Sequence, residues 1–234
     1  MNHDPYFWWP EVSNSDLSWL QNQLFPRNLP DPTKAYRDGN AFDAILTEPE
    51  RVNYFKRSVD EDVFDKETFD RFLRMKEAFW NDSFCQNMMA GAETQTRMRK
   101  VRQMEFNGIL FELGVRCKWD IWKPLVNLGG DIKSTTAKTQ KEFEAACIHF
   151  DYPRQRAWYM DIAGSDRDFL IGVSKLNFKV FKIVITRGDS FYQRGFDQYI
   201  NLAYRHSLLY GKLNRHNAET NSTYEPNHIH PRRT

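Results

Sequence analysis

The stretch from Trp119 to Thr135 constrains the fold more than any other part of the chain. Two runs rich in apolar residues flank Gly129-Gly130, a pair that predicts a turn between neighbouring strands. Asp131 and Lys133 are two residues apart, so on a strand both side chains leave the same face. If the preceding run is the antiparallel neighbour, Asp120 approaches that face as well. The sequence therefore predicts two carboxylates and an ammonium group close together in an apolar setting.

Such a group of side chains suits hydrolysis of a phosphodiester bond. A magnesium or manganese ion held by carboxylate oxygens acidifies a bound water and offsets the charge that builds up on the phosphate. A lysine beside it can orient or deprotonate the water, or stabilise the transition state. We therefore predict Asp120, Asp131 and the backbone carbonyl of Ile132 as metal ligands, and Lys133 as catalytic. The structural alternative is a surface ion pair between Asp131 and Lys133, with Asp120 an ordinary acid at a strand end.

Capping signals and hydrophobic periodicity predict the remaining elements. Ser13 to Asp16 forms an N-cap cluster ahead of a helix, the segment 26–38 is predicted as a loop, and Gly39 opens a short helix. Asn107-Gly108 predicts a hairpin turn. The other predicted elements are helices at 66–80 and 83–92, strands before and after the hairpin turn up to Trp122, a strand at 131–133, helices at 140–150 and 152–162, strands at 169–173 and 178–186, and a long helix at 190–213.

These elements predict an α/β fold with a central mixed sheet flanked by helices. The 234 residues are expected to form one domain, with a helical front over 13–92, a sheet-and-helix core over 94–213 and a flexible tail over 214–234. Neither a membrane-spanning run of about 18 apolar residues nor a signal pattern is visible. We therefore expect a cytoplasmic protein that does not enter membranes.

Cysteine number and overall charge exclude several classes of function. The chain has 3 cysteines, Cys85, Cys117 and Cys147, and they are too dispersed for a disulfide framework, a zinc site or an iron–sulfur cluster. We expect reduced thiols. The formal net charge is only +2, so binding to nucleic acid would require a local basic patch. The best candidates for contacts with DNA phosphates are Arg97, Arg99, Lys100 and Arg102, with Lys138 and Lys141 beyond the Asp131 strand; the alternative is a solvated charged face.

Three further residues are candidates for a function. Gln155 and Tyr159 are four residues apart on a predicted helix and share a face, where they could contact a phosphate or steady the lysine. By itself this pair also fits an ordinary polar helix face. Asp43 lies among Phe42, Ala44 and Ile45, and a buried acid there would need a partner.

The order of these motifs resembles the PD-(D/E)xK nuclease superfamily, and within it the RecE-like, phage-type recombination exonucleases. Three segments carry the resemblance: 117–120 (Cys-Lys-Trp-Asp), 130–135 (Gly-Asp-Ile-Lys-Ser-Thr) and 152–159, which contains Gln155 and Tyr159. Residues 12–18 resemble the opening of that family, and 39–50 its first conserved helix. The resemblance covers about residues 12–185.

The resemblance implies a twisted mixed sheet with Asp120 and Asp131 as metal ligands, Lys133 as the catalytic lysine and Gln155 with Tyr159 as supporting residues. It also implies Mg²⁺ or Mn²⁺, digestion of double-stranded DNA from an end, a homo-oligomer, and a single-strand annealing protein as a partner in recombination or repair. Two positions depart from the family pattern. Asp43 stands where a histidine is common, so it could serve the metal or act as a capping or salt-bridge acid, and Trp119 replaces the proline.

Two other functions remain open from the residues alone. A structure- or sequence-specific DNA endonuclease on the same scaffold would cut closed circles. A catalytically silent module would bind DNA or a protein partner without hydrolysis, although clustered acids cost stability when no cation offsets their repulsion.

Overall fold

A computed structural model of the chain describes residues 4–27 and 31–220, with side chains as far as residue 211. Its centre is a five-stranded mixed sheet with helices packed on both faces, which confirms the predicted α/β class. None of the described helices is long and apolar enough to cross a bilayer.

The elements follow the chain in an order that places the first four helices before the main sheet. The helices are α1 (Asn14–Leu24), α2 (Thr33–Thr47), α3 (Lys66–Asn81), α4 (Ser83–Met89), α5 (Gln140–His149), α6 (Tyr152–Ala163) and α7 (Ser190–Thr220). The strands are β1 (Val52–Asn53), β2 (Ser58–Val59), β3 (Asp62–Val63), β4 (Glu93–Phe106), β5 (Ile109–Lys123), β6 (Leu128–Thr135), β7 (Arg167–Ser174) and β8 (Val180–Thr186).

The main sheet has the strand order β4-β5-β6-β7-β8. Only β6 and β7 are parallel, and the other neighbouring pairs are antiparallel. A parallel pair needs a crossover connection, and α5 and α6 supply it. This crossover brings α6 against the strand that carries Asp131 and Lys133.

Local capping and turn signals were reliable guides. Ser13 and Asp16 form a reciprocal capping box at the start of α1, which buries Leu17 and Leu20. Asn107 and Gly108 have φ of +51° and +78°, as a two-residue hairpin turn requires, and they join β4 to β5. Both predictions are confirmed.

The predicted loop at 26–38 is wrong in its last part, because α2 begins at Thr33 rather than at Gly39. The first two turns of α2 are mostly polar, and residues 33–36 are exposed, so they lack the apolar spacing by which a helix is recognised. The longer helix places Asp43 near its C-terminal end instead of its first turn.

The predicted Gly129-Gly130 turn is also wrong. The chain reverses earlier, in a 3₁₀ turn at Pro124–Val126 followed by Asn127 with φ of +48°, and both glycines lie within β6. A Cβ atom on Gly129 would lie 1.9 Å from the ring of Trp119. Gly129 is therefore required by close packing of the Trp119 indole and not by a turn.

Smaller differences concern element ends. The helix predicted over 83–92 ends at Met89, and the short sheet β1-β2-β3 was not predicted. Helix α7 continues to Thr220, so the predicted tail at 214–234 begins within a helix, and its residues 221–234 lie outside the described residues.

Two apolar cores cover the two faces of the sheet. One joins β5, α6 and α7 and includes Trp119, Trp158 and Tyr199, while the other joins the sheet to α2, α3 and α4 and includes Phe42 and Phe72. The three cysteines are buried and free, which confirms the prediction of unpaired thiols. The two cores hold α2 and α6 on opposite faces of the sheet, near the part of β6 that carries Asp131 and Lys133.

Candidate active site

Asp120 and Asp131 occupy opposing positions on β5 and β6. The ladder between these strands ends at Ile121 opposite Gly130, and the two aspartates are one step further along. In place of a ladder bond, the backbone N–H of Ile132 donates a hydrogen bond to Asp120 Oδ2 at 2.8 Å. The predicted antiparallel neighbour is therefore confirmed, and the strands separate where the acids lie.

Strand β4 is distorted at the same level of the sheet. Thr94 pairs with Ile121 and Thr96 with Trp119, whereas Gln95, opposite Asp120, has φ of +55°. The regular alternation of side chains between the two faces of the sheet is interrupted on β5 at Asp120. Trp119 and Ile121 are two residues apart and would normally share a face, but Trp119 lies in the core on the α6 face and Ile121 lies in the core on the α2 face. Such a local irregularity re-aims side chains, as β-bulges beside active sites do.

A row of four alternating charges passes through Asp131. Its Oδ2 lies 2.5 Å from Lys133 Nζ, and its Oδ1 accepts a hydrogen bond from Arg156 Nη1 at 2.7 Å. Arg156 Nε donates in turn to Asp168 Oδ2 at 2.6 Å. Arg156 and Asp168 have no exposed surface, so these charges depend on one another for stabilisation.

One residue of the predicted helix pair on α6, Tyr159, packs against this row. The ring of Tyr159 lies 4.7 Å from the Arg156 guanidinium and meets the Trp119 ring edge-on at 5.3 Å. Trp119 contacts the same guanidinium at 4.8 Å. Gln155 is half-buried on the same helix. Tyr159 therefore supports Arg156, and through Arg156 the carboxylate of Asp131.

Helix α2 brings a third carboxylate to the acids from the sheet. Asp43 Oδ1 accepts a hydrogen bond from Thr47 Oγ1 at 3.3 Å, and its Oδ2 accepts one from Gln95 Nε2 at 3.1 Å. Asp43 and Asp120 both keep part of their surface accessible. Asp43 does not cap a helix N-terminus, because it lies in the last turns of α2.

Burial and neighbouring negative charge disfavour the ionised forms of Asp43 and Asp120. Burial and the charge of Asp131 raise the pKa of Asp43 to about 6, against a smaller opposing effect of Lys133. Burial, followed by Asp43 and Asp131, raises the pKa of Asp120 well above its ordinary value. Asp168 is raised to a pKa of about 6 by burial, despite the neighbouring Arg156.

Lys133 is held in its charged form. Burial lowers the pKa of its ammonium group, but the charges of Asp131 and Asp120 outweigh burial and raise the pKa above its ordinary value. Its side chain keeps 20% of its surface exposed, so the ammonium can reach a bound molecule. A protonated lysine donates hydrogen bonds and offsets negative charge, which is the second of the two roles that the sequence left open.

The donor chemistry at this site fits a hard divalent cation. Four carboxylates (Asp43, Asp120, Asp131 and Asp168) are accompanied by the two cations Lys133 and Arg156, which leaves two excess negative charges when all are ionised. Carboxylate oxygens are preferred ligands of Mg²⁺ and Mn²⁺. Among the described side chains, which end at residue 211, however, no three acidic, histidine or cysteine side chains are arranged to hold one ion. Asp131 instead faces Lys133 and Arg156.

The predicted DNA-contacting residues fall into two groups. Arg97 pairs with Asp4 at 2.9 Å, Arg99 with Glu11 at 3.5 Å, and Arg102 with the buried Asp161 at 3.2 Å. These arginines are thus neutralised by acids of the same chain. The nearby Lys100 is exposed, and burial together with Arg102 lowers the pKa of its ammonium group.

Lys138 and Lys141 are exposed just beyond the end of β6, at the start of α5. They follow Asp131 by 7 and 10 residues along the chain, whereas Arg102, the nearest of the β4 arginines, precedes it by 29. They are the stronger candidates for phosphate contacts.

The sequence did not single out Gln95, Arg156 or Asp168. Asp168 comes directly before the apolar residues of β7. Like Asp43, it is an acidic residue in an apolar stretch of sequence, and this pattern could have identified it. Arg156 lies inside the quoted motif beside Gln155, but its fully buried position depends on the packing of α6. Gln95 gave no signal, because its φ is a property of the folded hairpin.

A mixed sheet with Asp120 on one strand and Asp131-Ile132-Lys133 on the next defines the PD-(D/E)xK class of nuclease folds. The chain belongs to the family described as PDDEXK-like domain of unknown function (DUF3799), whose model matches residues 19–206. The resemblance to RecE-like nucleases is thus confirmed at the level of family and fold. A search of curated proteins finds no significant match.

Solved structures share the fold at low sequence identity. A candidate exonuclease from Eubacterium rectale is 15% identical, with a TM-score of 0.51 over 90% of this chain and 82% of its own. A phage-related exonuclease from Haemophilus somnus 129PT is 13% identical, with a TM-score of 0.43 over 86% of this chain and 84% of its own. The first similarity supports the fold, and the second is too distant to carry an argument.

Proposed function

We propose that this protein is a divalent-metal-dependent nuclease that hydrolyses phosphodiester bonds of double-stranded DNA, acting on linear molecules from an end. The observation that carries the proposal is the excess of carboxylates around the charged Lys133, on the two strands that define the PD-(D/E)xK class. The similar Eubacterium rectale structure is named as an exonuclease, which supports action from an end of the nucleic acid.

Each residue has a role that its position supports. Asp120, Asp131 and Asp43 would hold Mg²⁺ or Mn²⁺, which when bound supplies an acidified water and positive charge beside the phosphate; the Ile132 carbonyl stays a further predicted ligand. Lys133 donates to a phosphate oxygen and offsets the charge that develops there. Gln155 would contact the phosphate, while Tyr159 keeps the Asp131 carboxylate in place through Arg156.

Lys138 and Lys141 would hold the DNA backbone near the end of β6, because exposed ammonium groups contact phosphates without reading the sequence. Lys100, Arg97, Arg99 and Arg102 are weaker candidates, since the three arginines already pair with acids. A homo-oligomer and an annealing-protein partner in recombination or repair stay predictions from the resemblance.

The test compares linear and closed circular duplex DNA, each with Mg²⁺, Mn²⁺ or EDTA. We expect linear DNA to shorten with metal and circular DNA to stay intact. Asp131→Asn and Lys133→Ala should each reduce the rate about 10²–10³-fold, as loss of one preorganised charge in a catalytic site does. Asp166→Asn is the matched control, since Asp166 is an acid with 84% of its side-chain surface exposed in the loop before β7.

The outcomes separate the alternatives. Nicking or linearisation of the circle would replace the exonuclease with an endonuclease. Salt-sensitive DNA binding without hydrolysis under any metal condition would indicate a silent binding module. Hydrolysis that is equally fast in the Asp131 and Lys133 variants would exclude this site.

A further inference from the structure

A short segment of β4 fastens the end of α2 onto the sheet beside the acids. Thr94 Oγ1 donates a hydrogen bond to the backbone carbonyl of Thr47 at 2.9 Å. The next residue, Gln95, donates from Nε2 to Thr47 Oγ1 at 2.8 Å and to Asp43 Oδ2 at 3.1 Å. Thr94 and Gln95, consecutive residues of β4, thus contact Thr47 at the end of α2. Gln95 also contacts the carboxylate of Asp43, one helical turn earlier.

The backbone at Gln95 is unfavourable for its residue type. A φ of +55° places it in the left-handed region, which is energetically unfavourable for a residue with a Cβ and not for glycine. Glycine would occupy this conformation without that cost and would still allow the Thr94 bond. The backbone therefore does not require glutamine here, and the contacts of its amide distinguish it from glycine.

The direction of the hydrogen bonds indicates what the amide does. Nε2 has two hydrogens, one for the Asp43 carboxylate and one for the Thr47 hydroxyl. The Thr47 hydroxyl can then donate its own hydrogen to Asp43, whose backbone carbonyl and Oδ1 lie 2.9 and 3.3 Å away. Gln95 therefore orients Oδ2 of Asp43 directly, and it holds the Thr47 hydroxyl between the Asp43 carbonyl and Oδ1. Gln95 itself lies opposite Asp120 on the neighbouring strand.

We infer that Gln95 is a positioning residue for metal binding: it holds the Asp43 carboxylate of α2 in register with Asp120 and Asp131 of the sheet. The inference rests on the proposed metal-dependent function of these acids and deepens it. Groups that hydrogen-bond to a metal-ligating side chain, and so hold it in its orientation, contribute about 10–100-fold to metal affinity. Gln95 holds Asp43 in this orientation although its own backbone conformation is unfavourable.

The experiment measures binding of Mn²⁺ alone to the full chain by calorimetry and by electron paramagnetic resonance, with no DNA present. Gln95→Gly removes the amide and relieves the backbone strain, so we expect an unchanged or higher urea midpoint together with Mn²⁺ affinity at least about tenfold weaker. Gln95→Met keeps the side-chain length and the strain, and should weaken Mn²⁺ binding to the same extent.

The matched control is Asn107→Gly. Asn107 is another non-glycine residue of the same hairpin in the left-handed region, with φ of +51°, and it lies in the turn at the far end of β4. It should resemble Gln95→Gly in stability and the wild type in Mn²⁺ affinity. Mn²⁺ affinity within twofold of wild type in both Gln95 variants would overturn the inference, as would a wild-type protein that binds no Mn²⁺.

The digestion assay distinguishes this result from a failure of the proposed function. If the wild type hydrolyses DNA and the Gln95 variants bind Mn²⁺ normally, the positioning role is wrong and the nuclease stands. If the Gln95 variants lose Mn²⁺ affinity and the wild type does not hydrolyse DNA, the positioning role stands and the nuclease is wrong.

Discussion

Replacing Arg156 by methionine tests whether the buried charge row is essential to the fold. The guanidinium is fully buried and holds Asp131 at 2.7 Å and Asp168 at 2.6 Å. Without this guanidinium, the buried carboxylates of Asp131 and Asp168 lose their shared cation. Asp131 keeps Lys133 as its remaining charged partner. Breaking one buried ion pair in this way costs about 3–5 kcal/mol, a large part of the roughly 5–15 kcal/mol that stabilises a typical domain.

The assay is urea unfolding followed by circular dichroism and by fluorescence of the 7 tryptophans, one of which, Trp119, packs against Arg156. Arg154→Met is the matched control, because Arg154 is a buried arginine of the same helix whose hydrogen bonds go to the neutral side chains of Asn14, Gln21 and Ser18. Loss of bonds to neutral groups should cost less, about 1–3 kcal/mol.

A double variant, Arg156→Met with Asp168→Asn, removes one stranded carboxylate together with the cation. It should be more stable than Arg156→Met alone, with a coupling energy of about 0.5–3 kcal/mol between the two positions. A loss below about 1 kcal/mol for Arg156→Met, or strictly additive effects, would refute the buried-row reasoning, since surface substitutions usually stay within about 0.5 kcal/mol.

Three further predictions use the same unfolding assay. Gly129→Ala should cost about 1–3 kcal/mol by displacing the Trp119 ring, and Gly130→Ala less; equal costs would contradict the packing argument. Asp120→Asn should raise the metal-free urea midpoint near neutral pH, because the raised pKa of Asp120 makes its ionised form unfavourable, and should reduce stabilisation by Mn²⁺; a lower metal-free midpoint would refute this. Burial lowers the pKa of His206, so its imidazole contributes less to stability as the pH falls from about 7.5 to about 5.5, whereas the raised pKa values of Asp43 and Asp168 act in the opposite direction; the stability of the wild type relative to His206→Phe should therefore fall on acidification, and a difference that does not change with pH would exclude it.

Much of the fold could be predicted because its signals are local. The Ser13 capping box and the Asn107-Gly108 turn depend on neighbouring residues, and both were predicted correctly. The start of α2 was missed because its first turns are polar, so helical spacing of apolar residues was absent. Gly129 was misread as a turn residue because the ring that excludes a side chain there belongs to another strand.

The residues of the candidate site also divide into those that sequence spacing predicts and those that only the fold brings to the site. Asp120, Asp131 and Lys133 were found from spacing, because the two-residue period of a strand puts Asp131 and Lys133 on one face and the antiparallel connection returns Asp120 beside them. Arg156 was not found, since a basic residue on a helix is normally solvated and only the crossover between β6 and β7 buries it.

By itself the sequence determined which residues could carry charge at the end of β6, since short-range periodicity fixes which neighbours share a strand face. Only the tertiary structure decided how those charges are balanced: Asp43 arrives from α2, Arg156 from α6 and Asp168 from β7. The physical reason is that pairing energies in a buried site depend on distance and desolvation, and both are set when separate elements pack together.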